Sequence, residues 1–290
     1  MGRPEHRPSG AGRRAPPRAR RAPRARDAAT ARHARRRRRG AVITPAAATR
    51  LPPLVRVASY NVHRCIGRDG TSDPQRVADV VCELGADIVA LQEVNSPRRS
   101  FGDIDQLEHL ARATGLEAIA APTLLRYHGR FGNALLTRWR PDVMHQIDLG
   151  VPGRERRGAL DVELARDAGG LRVVATHLGL RARERRTQVA ALLAALRRGT
   201  TPLTVLLGDF NHWTPAFRAL REIDRQLGRA AVLRTFPAWR PLLALDRIWV
   251  CPATALVEVH VHATPAARRA SDHLPICATV RVETGATATS

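Results

Sequence analysis

The chain has 290 residues, 44% of them hydrophobic, enough for one large domain or two small ones and too many for a wholly disordered chain. Aromatic residues make up only 4%, so any core must be built from Ala, Val, Leu and Ile. The formal net charge of +22 is carried by 48 Arg without a single Lys, a bias that reads as GC-rich coding and weakens the case for a polyanion partner from charge alone.

Residues 1–50 hold sixteen of the Arg against Glu5 and Asp27, which leaves about +8 of the +22 for residues 51–290. This first stretch is Arg, Ala, Pro and Gly with few large apolar side chains. It cannot bury enough surface to offset chain entropy and is expected to be a disordered tail. The run Arg35–Arg39 is of the kind that binds phosphate backbones or anionic lipid; an inert extension is the other reading.

From Leu54 the texture changes. Val55–Val62 reads as a strand. Val77, Val80, Val81 and Leu84 fall at helical spacing over Pro74–Leu84, and Gly85 stops that helix. Asp87–Leu91 is a short apolar run of the type buried on both faces. A helix over Ile104–Ala113 ends at Gly115. Strands are expected at Asn133–Thr137, Val143–Leu149, Ala159–Leu164 and Leu171–Leu178. A helix spans Arg181–Arg198, Leu203–Leu207 is another buried strand, and Ala216–Leu227 is a helix. Asp246–Cys251, Leu256–Val261 and Pro275–Val282 close the chain as strands. Strand-rich stretches recur in two halves with helices between them. Two sheets packed face to face with helices outside satisfy this order, whereas one parallel sheet would leave strands 133–178 without crossovers.

No apolar run approaches the roughly eighteen residues of a membrane-spanning helix, and the basic N-terminus has no apolar segment behind it, which argues against a secretory signal. Cys65, Cys82, Cys251 and Cys277 form no CxxC pair and are expected to be buried free thiols in a reducing, cytoplasmic compartment.

Polar residues follow the apolar strands. Asn61 and His63 come after VASY, Glu93 after VALQ, His177 after VVAT, and Asp209 and Asn211 after VLLG. Asp246 opens a strand after LLAL, and Ser271, Asp272 and His273 precede LPICATV. Singly, Glu93 reads as a salt-bridge partner, His177 as a core histidine, GDFN as a turn and Asp272-His273 as a solvated loop pair. Their ordered conjunction at strand ends is the pattern of a metal-assisted hydrolysis site.

The motifs SYNVH (59–63), LQEV (91–94), GNALLTR (132–138), THL (176–178), GDFN (208–211), LDRIWV (245–250) and SDHLP (271–275) resemble, in order, those of the endonuclease/exonuclease/phosphatase superfamily, whose fold is shared with deoxyribonuclease I. The match runs from about Val55 to about Glu283. The resemblance implies an α/β four-layer αββα sandwich of two mixed sheets flanked by helices, occupying residues 51–285 between the tail and a short C-terminal segment, 286–290.

It also implies roles. Glu93, with Asn61 and Asp272, would hold Mg²⁺, with Mn²⁺ as a substitute, through hard oxygen ligands. Asp209 would orient or deprotonate the attacking water, and Asn211 would donate to the nucleophile or a phosphate oxygen. His177 and His273 would contact the phosphate from two sides. Asp272 is a poor orienter of its neighbour His273, because adjacent side chains of an extended segment point apart. Asp246 is the better partner. Arg157 is expected to clamp phosphate and His63 to lie near substrate or metal; for Arg154 and Arg156, close by in sequence, a share in that clamp and a solvated position are equal alternatives. The glutamate that deoxyribonuclease-like members place on the THL histidine has no evident counterpart here. Trp239 and Arg240 line the mouth or anchor a loop. The expected enzyme is a monomeric nuclease or phosphodiesterase acting on nucleic acid. The alternatives are a hydrolase of phospholipid head groups or small phosphate esters, and a catalytically silent nucleic-acid binder.

Overall fold

The computed structural model describes residues 50–97, 105–126, 129–165, 169–199, 201–213 and 218–283. The Arg-rich segment 1–49, Ile104 and the C-terminal residues 284–290 lie outside them.

Eleven strands form two sheets among these residues. The first has the spatial order β10 (Leu256–Val261), β11 (Ile276–Arg281), β1 (Leu54–Asn61), β2 (Ile88–Pro97), β4 (Gly129–Thr137) and β3 (Glu117–Arg126). The second runs β5 (Val143–Asp148), β6 (Gly158–Leu164), β7 (Leu171–His177), β8 (Leu203–Asp209) and β9 (Asp246–Cys251). Each sheet is mixed, with one parallel pair at its centre, β1 with β2 and β7 with β8. Helices α1 (Pro74–Leu84) and α2 (Gln106–Thr114) cover the first sheet. The second is covered by α3 (Ala182–Leu196) and α4 (Arg218–Leu227). A one-turn helix, α5 (Ala267–Ala270), precedes β11.

The central strands are apolar on both faces, and the period of two divides them between cores. Val55 and Val57 of β1, Ile88 and Ala90 of β2, Val173 and Ala175 of β7, and Val205 and Leu207 of β8 meet in the core between the sheets. Ala58, Tyr60, Val89 and Leu91 point the other way, onto α1 and α2. Val174 and Leu206 point outward onto α3 and α4. The result is the four-layer αββα sandwich expected from the sequence. At about 1.5–3 kcal/mol per buried aliphatic side chain, such strands are held by packing on both faces. Helix α1 adds local signals: Asp73 accepts the Arg76 N–H at 3.1 Å, Pro74 opens the first turn, and Gly85 closes it at φ +53°.

The sequence pattern missed β3. Its residues EAIAAPTLLR hold four low-propensity Ala and Pro positions, and Pro122 fits only because β3 is an edge strand. It also ended β2 at Leu91, whereas the strand continues through polar residues to Pro97. The one-turn helix α5 was likewise not expected. Cys65 and Cys277 are buried, but Cys82 is exposed and Cys251 half-buried, which corrects the expectation of four buried thiols. None of the described helices is long and apolar enough to cross a membrane.

Candidate active site

Strand register brings the polar residues together. His177 is the parallel partner of Asp209 across β7 and β8, and Asp209 is the antiparallel partner of Asp246 across β8 and β9. Three chemically active side chains therefore stand in a row at one rim of the second sheet. Gly208 allows the close strand approach beside them. Its φ is +150°, and a Cβ there would lie 2.0 Å from the Thr176 carbonyl oxygen.

The first sheet supplies the opposite wall. Asn61 ends β1. Glu93 sits in β2 where the register with β4 shifts between Leu91 and Val94, and its φ is +60°. The bulge re-aims the side chain into the cleft, a use to which such irregularities are often put. Asn211, at φ +50°, adopts a similar backbone beside Asp209. The segment before β11 carries Ser271, Asp272 and His273, and Ser271 Oγ donates to the Asn61 carbonyl at 2.7 Å.

Asp209 is the hub. Its Oδ2 accepts from Asn61 Nδ2 at 3.1 Å and lies 3.4 Å from His177 Nε2 and 3.8 Å from His273 Nε2. Its Oδ1 accepts the Asn211 backbone N–H at 2.8 Å. The same Asn61 amide nitrogen also reaches Glu93 Oε1 at 3.2 Å, while Asn61 Oδ1 accepts the His63 N–H at 3.0 Å. In this arrangement Asn61 aligns two carboxylates.

The two histidines differ in charge. Burial pushes His177 down to about 3, against the pull of Asp209 and with reinforcement from the positive Arg157 and His273. His177 is neutral. Arg157 Nη1, which can only donate, faces Nδ1 at 3.1 Å, and Nε2 lies 3.4 Å from Asp209 Oδ2. Asn211 Nδ2 lies 3.0 Å from that Nε2 but donates to the Leu178 carbonyl at 2.8 Å. Burial also disfavours a charged His273, but Asp246, Asp209 and the hydrogen bond to Asp246 outweigh it and raise the ring to about 10. His273 Nδ1 donates to Asp246 Oδ2 at 2.9 Å, and Thr235 Oγ1 donates to the same oxygen. Phe236 packs on the His273 ring with centroids 4.9 Å apart.

Arg157 is buried beside the cleft, 3.5 Å from Glu155, and its Nε has no hydrogen-bond partner among the described residues. At His177 Nδ1 the neighbour is thus a guanidinium and not a carboxylate. His63 lies 3.7 Å from Asp272. Arg154 is exposed and Arg156 is an exposed partner of Asp148. Trp239 is half-exposed, with the Arg68 guanidinium 5.6 Å from its ring centre. Sequence reasoning missed Thr235. A lone Thr upstream of a Pro-rich loop carries no signal until that loop folds against Asp246.

Glu93, Asp272, Asp209, Asn211, His177 and His273 line one cleft of about 720 Å³. Asp209, Asp246 and His273 offer ligand atoms within 4.8 Å of one another, but a cation there would displace the hydrogen bond that holds the His273 ring. Glu93, which accepts from Asn61 at 3.2 Å, and Asp272, 3.7 Å from His63, both line the cleft and as carboxylates are the kind of hard oxygen donor that Mg²⁺ takes.

The sequence matches the Endonuclease/Exonuclease/phosphatase family over residues 58–273. It is 33% identical over 224 residues to the protein YbhP of Escherichia coli K12, covering 70% of this chain and 87% of YbhP. Among solved structures it resembles an endonuclease/exonuclease/phosphatase from Beutenbergia cavernae, with a TM-score of 0.62 at 23% identity, over 80% of this chain and 72% of that one. It also resembles the Bacteroides thetaiotaomicron mannosyl-6-phosphatase Bt3783, with a TM-score of 0.60 at 18% identity, over 77% of this chain and 98% of that one.

Proposed function

The chain belongs to the Endonuclease/Exonuclease/phosphatase family, and from that premise we propose that it is a divalent-metal-dependent hydrolase of phosphodiester bonds, acting as a nuclease or phosphodiesterase. The observation that carries this reading is Asp209, a buried carboxylate flanked by a neutral and a charged histidine and aligned by an amide from the other sheet.

Glu93 and Asp272 would hold the ion, Mg²⁺ or Mn²⁺, which when bound supplies neutralising charge to the phosphate. The protein side chains do the rest. Asp209 Oδ2 orients a water and takes its proton as the water oxygen bonds to phosphorus. The ester oxygen leaves, and the His273 imidazolium, held by Asp246, is placed to donate to it or to a phosphate oxygen. His177 presents its Nε2–H to the phosphate from the other side. Asn211 and Arg157 contact phosphate oxygens, and His63 adjusts Asp272. The domain is read as residues 51–285.

The experiment is turnover of plasmid DNA, an aryl phosphodiester and sphingomyelin, each with and without Mg²⁺. Metal-dependent cleavage of the first two supports the reading. Cleavage of sphingomyelin alone replaces it with head-group hydrolysis, and tight DNA binding without cleavage replaces it with a silent binder.

A further inference from the structure

Two exposed apolar side chains stand at the cleft mouth, Trp213 at 53% and Leu180 at 72% exposure. Burying such groups would release water, yet the fold leaves them uncovered. They are not loose. Trp213 stacks on His212, with ring planes 21° apart and centroids at 6.3 Å, and His212 is buried. Behind them the buried Arg185 donates to the carbonyls of Gly179, at 3.1 Å, and Leu180, while its Nη2 lies 3.3 Å from His212 Nδ1. One guanidinium thus pins the loop after β7 to the loop after β8. The Trp213 ring thus lies near-parallel to a buried neighbour while it lines the cleft and stays half-exposed.

Trp213 is two residues from Asn211 and lines the same cleft as Asp209, His177 and His273, so the platform and the proposed phosphate site share one cleft. Phe131, Phe236 and Leu243 continue the apolar wall, and Arg64 and Arg157 line the same cleft. A flat aromatic face beside guanidinium groups is the pattern that receives an unpaired base on a phosphate backbone. An acyl chain could also cover the ring, but it would leave Arg64 and Arg157 without the phosphate groups that a nucleotide backbone brings.

We infer that Trp213 is a stacking platform for a nucleobase adjoining the scissile phosphate, and that the substrate is a nucleoside-bearing phosphodiester presented unpaired. This deepens the phosphodiesterase reading and rests on it.

The test compares thymidine 5′-(p-nitrophenyl) phosphate with methyl p-nitrophenyl phosphate, which share a leaving group and differ in the base. The wild-type enzyme should prefer the thymidine ester in kcat/KM. Trp213→Ala should lower that preference by roughly 5- to 150-fold, the span that stacking of one base carries, and Trp213→Phe should keep most of it. Equal cleavage of the two esters by the wild type, or an unaltered preference in Trp213→Ala, overturns the inference while leaving a phosphodiesterase. Cleavage of neither ester overturns the underlying reading as well. A Trp213→Ala loss seen on sphingomyelin vesicles but not on the thymidine ester would reassign the platform to lipid.

Discussion

Asn61 Nδ2 donates to Asp209 Oδ2 at 3.1 Å across the gap between the two sheets. The same nitrogen lies 3.2 Å from Glu93 Oε1. The carboxylate proposed to address water and the one proposed to hold metal therefore share a single amide. Each is aligned by reference to the other, which suits a reaction that needs water and ion at fixed spacing.

Glu93→Gln should remove nearly all activity while leaving the far-UV circular dichroism and melting temperature near wild type, because the bulge that aims residue 93 is a backbone feature. EDTA should silence the wild-type enzyme, and Mg²⁺ should restore it. Full turnover in EDTA would remove the metal from the mechanism.

His273→Ala should lower kcat by about 10²–10⁴-fold, the usual loss for general acid–base groups. Asp246→Asn should also be severe, since its amide nitrogen would face a ring nitrogen that now donates. Residues acting as one unit do not contribute independently, so the double variant should be little worse than His273→Ala. Multiplicative losses would mean that the two groups work separately.

Leu207 is fully buried in the core between the sheets, two residues before Asp209. Leu207→Ala should cost about 2–5 kcal/mol in urea unfolding, through lost transfer energy and the cavity left behind. A loss below about 1 kcal/mol would show that this core relaxes around the gap.

Glu83 accepts from His262 at 3.0 Å and Thr264 at 2.8 Å. These bonds hold its carboxyl below the usual range, the one with His262 contributing most. A depressed carboxylate stabilises the fold above its unfolded pKa, and that contribution is lost as pH falls through the folded value. Glu83→Gln should therefore lower the melting temperature at neutral pH, with the difference shrinking as the buffer is taken below the carboxylate range. A difference that stays constant with pH would show that the charge is irrelevant.

Burial pushes the thiols of Cys65 and Cys277 up to about 12, whereas Cys82 is exposed. In native protein at pH 8, Cys82 should react with a disulfide reagent in the first phase. Cys65 and Cys277 should become reactive only on unfolding. Rapid native labelling of Cys277 would place β11 in a more open sheet than described.

The buried centre was the legible part. Strands such as LTVLL and LRVVATHL announce themselves because both faces are apolar, and the polar residue ending each run marks the rim where ligands bind. The edge was not legible. β3 combines Ala with a Pro, and its pairing is decided by the exposed flank of β4. The polar half of β2 was lost for a related reason: Gln92 to Ser96 look like a loop until the bulge assigns Glu93 to the cleft. The sequence also had no means of showing that Arg157 reaches His177, since that contact depends on how β6 and β7 pair. Thr235 was hidden in the same way.

The pairing of β1 with β11, Leu54 opposite Arg281, carries a consequence for synthesis. Asn61 sits on the first of these strands and His273 just ahead of the second, so the cleft needs both. A chain emerging from the ribosome can assemble α1, α2 and most of the second sheet early, yet β1 waits for a neighbour made more than two hundred residues later. Pairings of such long range are slow to form and leave an unpaired edge meanwhile. Hydrolytic competence should accordingly appear only once β11 has been made, in one late step, and nascent fragments ending before β11 should be inert and prone to aggregate through the open flank of β1.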